Sequence, residues 1–212
     1  MIALPAAYDV APFADRQGPL VVLEGVSGIG KTTLTKLLAR RLDGTSLHTL
    51  PVPHSVWSAQ ANEHMRALPQ FAFYLSGLLH ASDHIRAALP IGAVVADRYT
   101  SSVTACHAAV HGIAPDDVAA LIHPFRPYLV VPDHTFYLRC SPQTLRERMS
   151  TKRDIKQDDT DLFDIPGRFE QLVENFETVA AGDPTATVLD TDRRSPGQLA
   201  DTIRTILETG RA

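Results

Sequence analysis

A lysine and two hydroxyls set among glycines are the residues here that most plainly could do chemistry. Residues 25–33 read GVSGIGKTT, so Gly25, Gly30, Lys31 and Thr32 fit G-x-x-x-x-G-K-[ST], with Gly28 as an extra glycine inside. Glycines let a backbone wrap closely around a polyphosphate. Free N–H groups at a helix start then point at the anion, and the helix dipole reinforces them. On this reading Gly25, Ser27, Gly28, Ile29, Gly30, Lys31, Thr32 and Thr33 bind ATP or GTP. Lys31 reaches the β and γ phosphates, and Thr32 coordinates Mg²⁺. The competing reading is an ordinary glycine-rich turn. The strand before the loop and the helix after it favour the phosphate.

A second chemical pair is Asp97-Arg98, in VVADRY. Phosphoryl transfer needs positioning and charge neutralisation more than covalent help. Asp97 can orient an attacking oxygen, accept its proton, or hold a metal-bound water, which makes Thr32 and Asp97 the candidate metal residues. Arg98 can clamp a phosphate with two parallel hydrogen bonds. A third group is basic: Arg146, Arg148, Lys152 and Arg153 in LRERMSTKRDIKQDDTD, residues 145–161. Closing over the phosphates, such a segment would exclude water and stabilise transferring charge. A solvated charged face is the plainer alternative, and Asp154, Asp158, Asp159 and Asp161 could neutralise the arginines when it is open.

These groups need a scaffold. The apolar run 20–23 suits a strand buried on both faces. Leu34, Leu37, Leu38 and Leu42 recur at helical spacing over 31–42. Further strands are predicted near 47–51 and at 93–96, 134–139 and 186–190. Helices are predicted at 69–89, 101–111, 115–122, 142–150, 167–181 and 196–208. Alternating β and α elements with buried strands imply a parallel sheet covered by helices. Ligands bind at the carboxyl ends of such strands, where Gly25 and Asp97 both fall.

The 212 residues suit one domain, with 1–18 as an N-terminal extension, 19–212 as the catalytic domain and a lid near 148–165. A net charge of −4 argues against broad nucleic-acid binding. Apolar runs are too short to span a bilayer. The start of the chain lacks the basic residues of a secretory signal. Two cysteines, Cys106 and Cys140, without metal-type spacing, suggest a reducing, cytoplasmic setting.

The chain resembles the thymidylate kinase family of P-loop kinases over most of residues 19–208. The resemblance rests on LEGVSGIGKTT and ADRYTSSVTA, with support from HTFYLRCSPQTLRERMSTKR and VLDTDRRSP. It implies an α/β P-loop NTPase fold: a five-stranded parallel sheet sandwiched by helices, with an arginine-containing lid. It also implies a homodimer, the cofactors ATP and Mg²⁺, and transfer to a nucleotide. Carried onto this sequence, it gives catalytic roles to Lys31, Asp97, Arg98, Arg148 and Arg153. It places Asp190, Thr191 and Asp192 near the nucleotide base.

Three positions depart from the family pattern. Ser27 stands where the family carries an acid that holds the acceptor sugar. Gly77 stands where an arginine binds the acceptor phosphate, with His80 and His84 one and two turns further on. Cys106-His107 replaces the Tyr-Gln that helps stack on and read thymine. Other candidates for the acceptor wall are Phe71, Phe73, Tyr74, Tyr99, Ser102 and His107. Phe71 and Phe73 can instead be core, which helical periodicity favours for Phe73, and His80 can be an ordinary polar residue on a packed helix. The expectation is an ATP-dependent kinase acting on a nucleoside monophosphate or related small molecule other than plain dTMP. A kinase of free nucleosides, or an ATP-binding regulatory module without turnover, are the alternatives.

Overall fold

The computed structural model describes residues 9–10, 15–151 and 162–210. Five strands form one sheet: β1 (Leu20–Glu24), β2 (Thr45–His48), β3 (Val94–Asp97), β4 (His134–Arg139) and β5 (Ala186–Asp190). Their order is β2-β3-β1-β4-β5, and all four pairings are parallel. The helices are α1 (Lys31–Arg41), α2 (His54–His64), α3 (Ala67–Ala88), α4 (Thr100–His111), α5 (Pro115–Ile122), α6 (Pro142–Ser150), α7 (Arg168–Ala181) and α8 (Pro196–Thr209).

The central strand shows why a sandwich forms. Side chains on a strand alternate between faces. Val21 and Leu23 enter a core with Leu34 and Leu38 of α1, Phe176 of α7 and Ile203 of α8. Leu20 and Val22 enter a second core with Phe71 and Leu78 of α3 and Val118 of α5. Helix α4 serves both, giving Ala105 and Ala109 to the first and Val103 and Ala108 to the second. It is therefore wedged where the two layers meet, beside the end of β1.

Three elements differ from the sequence reading. The second strand lies at 45–48, ahead of the predicted 47–51, because it pairs with β3 from Thr45↔Val94 to His48↔Asp97 and stops where β3 stops. Pro51 and Pro53 have no N–H with which to extend it. Helix α2 was not anticipated. Only Ala61 of it is buried, and Val56 and Trp57 are exposed. It has no apolar stripe for periodicity to detect. Helix α3 begins at Ala67, two residues before Pro69, which fits within a first turn whose N–H groups lack helical partners.

Phe136 is fully buried in β4 within the first core. Phe136→Ala is expected to lower stability by about 3–5 kcal/mol, the usual cost of such a cavity, as read from urea unfolding.

Candidate functional site

The site begins where β1 runs into the glycine loop. Gly25 has φ 134°, and a Cβ there would stand 2.6 Å from the Leu138 carbonyl oxygen of the neighbouring strand. At Gly28, φ is 79° and a Cβ would strike Met149 Sδ at 2.2 Å. The loop thus closes tightly only with glycine at these points. Lys31 folds back into the curl, its Nζ donating to the carbonyls of Gly25 and Val26 at 2.7 Å each. It is 5% exposed. Burial, then the nearby Arg98 guanidinium, pulls its pKa down to about 7 against the attraction of Asp97 and Glu24. Ile29 is buried and Ser27 half-buried, while Gly30, Thr32 and Thr33 face solvent at the start of α1.

Thr32 and Asp97 come together across the sheet. The Thr32 hydroxyl donates to Asp97 Oδ2 at 2.5 Å. Asp97 is buried, and its backbone carbonyl accepts from the N–H and hydroxyl of Thr49. These two oxygen donors fit Mg²⁺, which keeps several waters and takes few protein ligands. Among the described residues no cluster of three or more His, Cys, Asp or Glu could hold a metal. A metal here would therefore depend on phosphate and water for most of its shell. Arg98 sits at φ 71°, a left-handed conformation rare for a residue with a side chain. Its Nη1 donates to Ser102 Oγ at 3.1 Å and to the Gly25 carbonyl at 3.4 Å, so the guanidinium lies beside the loop.

Sequence reasoning passed over Glu24, which holds this turn in place. It is fully buried at the end of β1. Its Oε1 accepts from the N–H groups of Tyr99 (2.7 Å) and Ser102 (3.2 Å), and its Oε2 from the Ser102 hydroxyl. Those N–H groups open α4, so the carboxylate caps that helix from another strand. Burial raises its pKa, opposed by Ser102 and by the charge of Arg98. The available signal was an ionisable residue closing the otherwise apolar run LVVLE.

At the other end of the loop, Arg148 acts as a clasp. Nη1 donates to the Ile29 carbonyl and to Thr191 Oγ1 at 2.9 Å each, and Nη2 to the Thr191 carbonyl at 2.8 Å. Arg148 thus joins the loop to the segment after β5. Both carboxylate oxygens of Asp192 accept from Ser141 N at the start of α6. Asp190 accepts from Asp192 N within the same turn. Lys152 and Arg153 lie outside the described residues.

On the acceptor side, Ser102, Cys106 and His107 follow one another up α4, and Phe73, Tyr74, Gly77 and His80 lie on α3. Tyr99 does not belong to this wall. Its ring is 1% exposed in the second core, its Oη accepts from Val130 N, and burial lifts its pKa to about 12. Gly77 faces the tip of Leu50 and the His54 ring, which a Cβ there would meet at 2.6 Å (Leu50 Cδ2) and 3.5 Å. His54 bonds Ser76, and its ring lies 5.5 Å from Phe73 and 5.7 Å from His80. Phe73 also meets Tyr74 edge-on at 5.4 Å, so these half-buried rings form a continuous aromatic row. Cys106 is half-buried.

Lys31 gives the site a pH signature. Its pKa near 7 in the folded protein lies below the roughly 10.4 of an unfolded chain. Between those values the unfolded chain holds a proton that the folded one has shed, so stability rises with pH across that window. Comparing the ligand-free protein with Lys31→Met from pH 7 to 9, the wild type is expected to gain stability relative to the variant, by at most about 1.4 kcal/mol per pH unit. Equal slopes in denaturant unfolding would show an ordinary lysine.

A family model described as thymidylate kinase matches residues 23–203, a span that takes in the phosphate loop, the Asp97-Arg98 turn and the Arg148 clasp. A probable thymidylate kinase of Natronomonas pharaonis is 29% identical over 175 residues, covering 78% of this chain and 85% of that protein. One from Methanocaldococcus jannaschii is 27% identical over 181 residues, covering 82% and 88%. The structure of thymidylate kinase from Candida albicans superposes with a TM-score of 0.74 at 17% identity, covering 93% of this chain and 94% of that one, a likeness of fold. The family model spans most of the chain, and the chain belongs to the thymidylate kinase family of nucleotide kinases.

Proposed function

We propose that this enzyme transfers a phosphoryl group from ATP, with Mg²⁺, to a nucleoside monophosphate or closely related small molecule other than plain dTMP. The observation that carries the proposal is the Thr32–Asp97 contact beside Lys31, all at the carboxyl edge of β1 and β3. When bound, Mg²⁺ would neutralise charge on the phosphates, held by Thr32 and, through water, by Asp97. Lys31 supplies a cation from inside the loop. Asp97 orients the attacking oxygen and can take its proton. Arg98 faces the transferred group from the side of α4. The acceptor lies between α3 and α4, with Ser27 at its sugar and the Phe73–Tyr74 row along its base. The enzyme acts as a cytoplasmic homodimer in this reading.

The base argues against plain dTMP, because Cys106 and His107 replace the pair that reads thymine in the family. A second reading, a kinase of free nucleosides, is favoured by Leu50 and His54 packed over Gly77. An aliphatic group and an imidazole whose pKa is lowered by burial and by His80 make a poor seat for a phosphate dianion.

A product-resolved screen with Mg-ATP tests these readings. Diphosphate formed from a monophosphate other than dTMP is the expected outcome. Monophosphate from a nucleoside would select the second reading, and ATP binding without any product would point to a non-catalytic module. Asp97→Asn is expected to lower kcat by about 10²–10⁴. A loss below about tenfold would remove Asp97 from the chemistry.

A further inference from the structure

Helix α4 enters the fold through two adjacent serines, and each is held from a different strand. Ser102 is bonded to Glu24 of β1. Ser101 is bonded to Tyr137 of β4, hydroxyl to hydroxyl at 2.8 Å. Glu24 and Tyr137 are partners in the register of those strands, so their side chains leave the sheet on the same face. The donors can be assigned. Tyr137 Oη lies 2.9 Å from Oδ2 of Asp183, on the turn before β5. A carboxylate only accepts, so the phenol proton goes to Asp183 and the Ser101 hydroxyl donates to Tyr137. Asp183 is fixed in turn by Thr185, whose N–H and hydroxyl meet its Oδ1 at 2.8 and 2.7 Å. Ser101 is 7% exposed and Tyr137 4%.

Such a chain gains little stability. Two hydroxyls that bond one another inside a protein have both given up water, and an alanine beside a phenylalanine would be about as stable. What the bond adds is direction. The apolar contacts that hold α4 in its two cores are non-directional, whereas a hydrogen bond weakens steeply off its line. The helix aligned in this way begins just after Arg98, whose left-handed φ of 71° is a conformation that the surroundings must hold. The Arg98 guanidinium bonds Ser102 at 3.1 Å and the Gly25 carbonyl at 3.4 Å. A slide or rotation of the first turn of α4 would therefore carry Arg98 along the phosphate loop.

Building on the kinase reading above, we propose that Tyr137 is a positioning residue for phosphoryl transfer: by holding Ser101 it fixes the first turn of α4, and through that turn the Arg98 guanidinium beside the loop. Tyr137 acts through Arg98 and takes no part in the chemistry itself.

The test compares Tyr137→Phe and the double variant Ser101→Ala/Tyr137→Phe with wild type, each also in an Arg98→Ala background. It uses the full-length protein with Mg-ATP and whichever acceptor it phosphorylates. The double variant is expected to unfold at the urea concentration of wild type, because both partners leave together. Both variants should lower kcat by about tenfold or more and leave the KM for ATP within about twofold. In the Arg98→Ala background the same changes should cost less than about twofold, as residues that act as a unit do. A kcat within about twofold of wild type, an equal loss with and without Arg98, or a lower urea midpoint in the double variant would overturn the proposal. A second readout needs no acceptor. After burial, the charge of Arg98 is what lowers the Lys31 pKa. Loosening Arg98 should let that pKa rise, so an NMR titration of the Lys31 side chain in the ligand-free double variant should move toward that of Arg98→Ala. An unchanged titration would overturn the proposal. If no acceptor is phosphorylated the kinase reading falls, and a raised Lys31 titration would still support the hold of Tyr137 on Arg98.

Discussion

A carboxylate without access to water joins the two halves of the site. Glu24 ends β1, yet its three hydrogen bonds all go to the chain that leaves β3. An ionised acid in that position is tolerable only with such partners and a nearby guanidinium. The same bonds fix Tyr99 and Ser102, and with them the left-handed turn at Arg98 and the direction of α4. The phosphate loop and the acceptor wall are therefore registered to one another by Glu24, with the Thr32–Asp97 and Arg98–Gly25 contacts beside it. The chemistry asks for this, because a misplacement of about 1 Å between donor and acceptor can cost about a hundredfold in rate.

Charge at the carboxyl edge is balanced locally. Lys31 and Arg98 face Asp97 and Glu24 within one small volume, and the chain as a whole is mildly acidic. The loop's own carbonyls accept from Lys31 Nζ. Arg148 occupies the opposite shoulder of the loop and is spent on carbonyls and a hydroxyl there. The two basic side chains thus do different work: Lys31 lies inside the curl, and Arg148 holds the curl against the segment after β5.

The sheet, the loop and the Asp97 turn were legible because each writes a strong local pattern. Apolar runs mark strands buried on both faces, and glycines at fixed spacing mark a backbone that must approach something closely. Helix α2 wrote no pattern, having almost no buried face. Glu24 was hidden by its neighbours, since its partners come from residues some seventy-five positions away. Tyr99 looked like part of a motif and proved to be core, because an aromatic ring beside a charged pair reads the same in sequence whichever way it turns. The bonds of Arg148 to Ile29 and Thr191 were equally unwritten, because a basic run does not say where each guanidinium turns.

Gly77 leaves α3 bare beneath the tip of Leu50. A Cβ at 77 would meet Leu50 Cδ2 at 2.6 Å and the His54 ring at 3.5 Å, and no backbone atom is as near. The end of a leucine side chain can change rotamer. The helix is therefore not sealed at this point: what covers it is two side chains from a separate stretch of the chain, and the character of that surface is set as much by residues 50 and 54 as by residue 77.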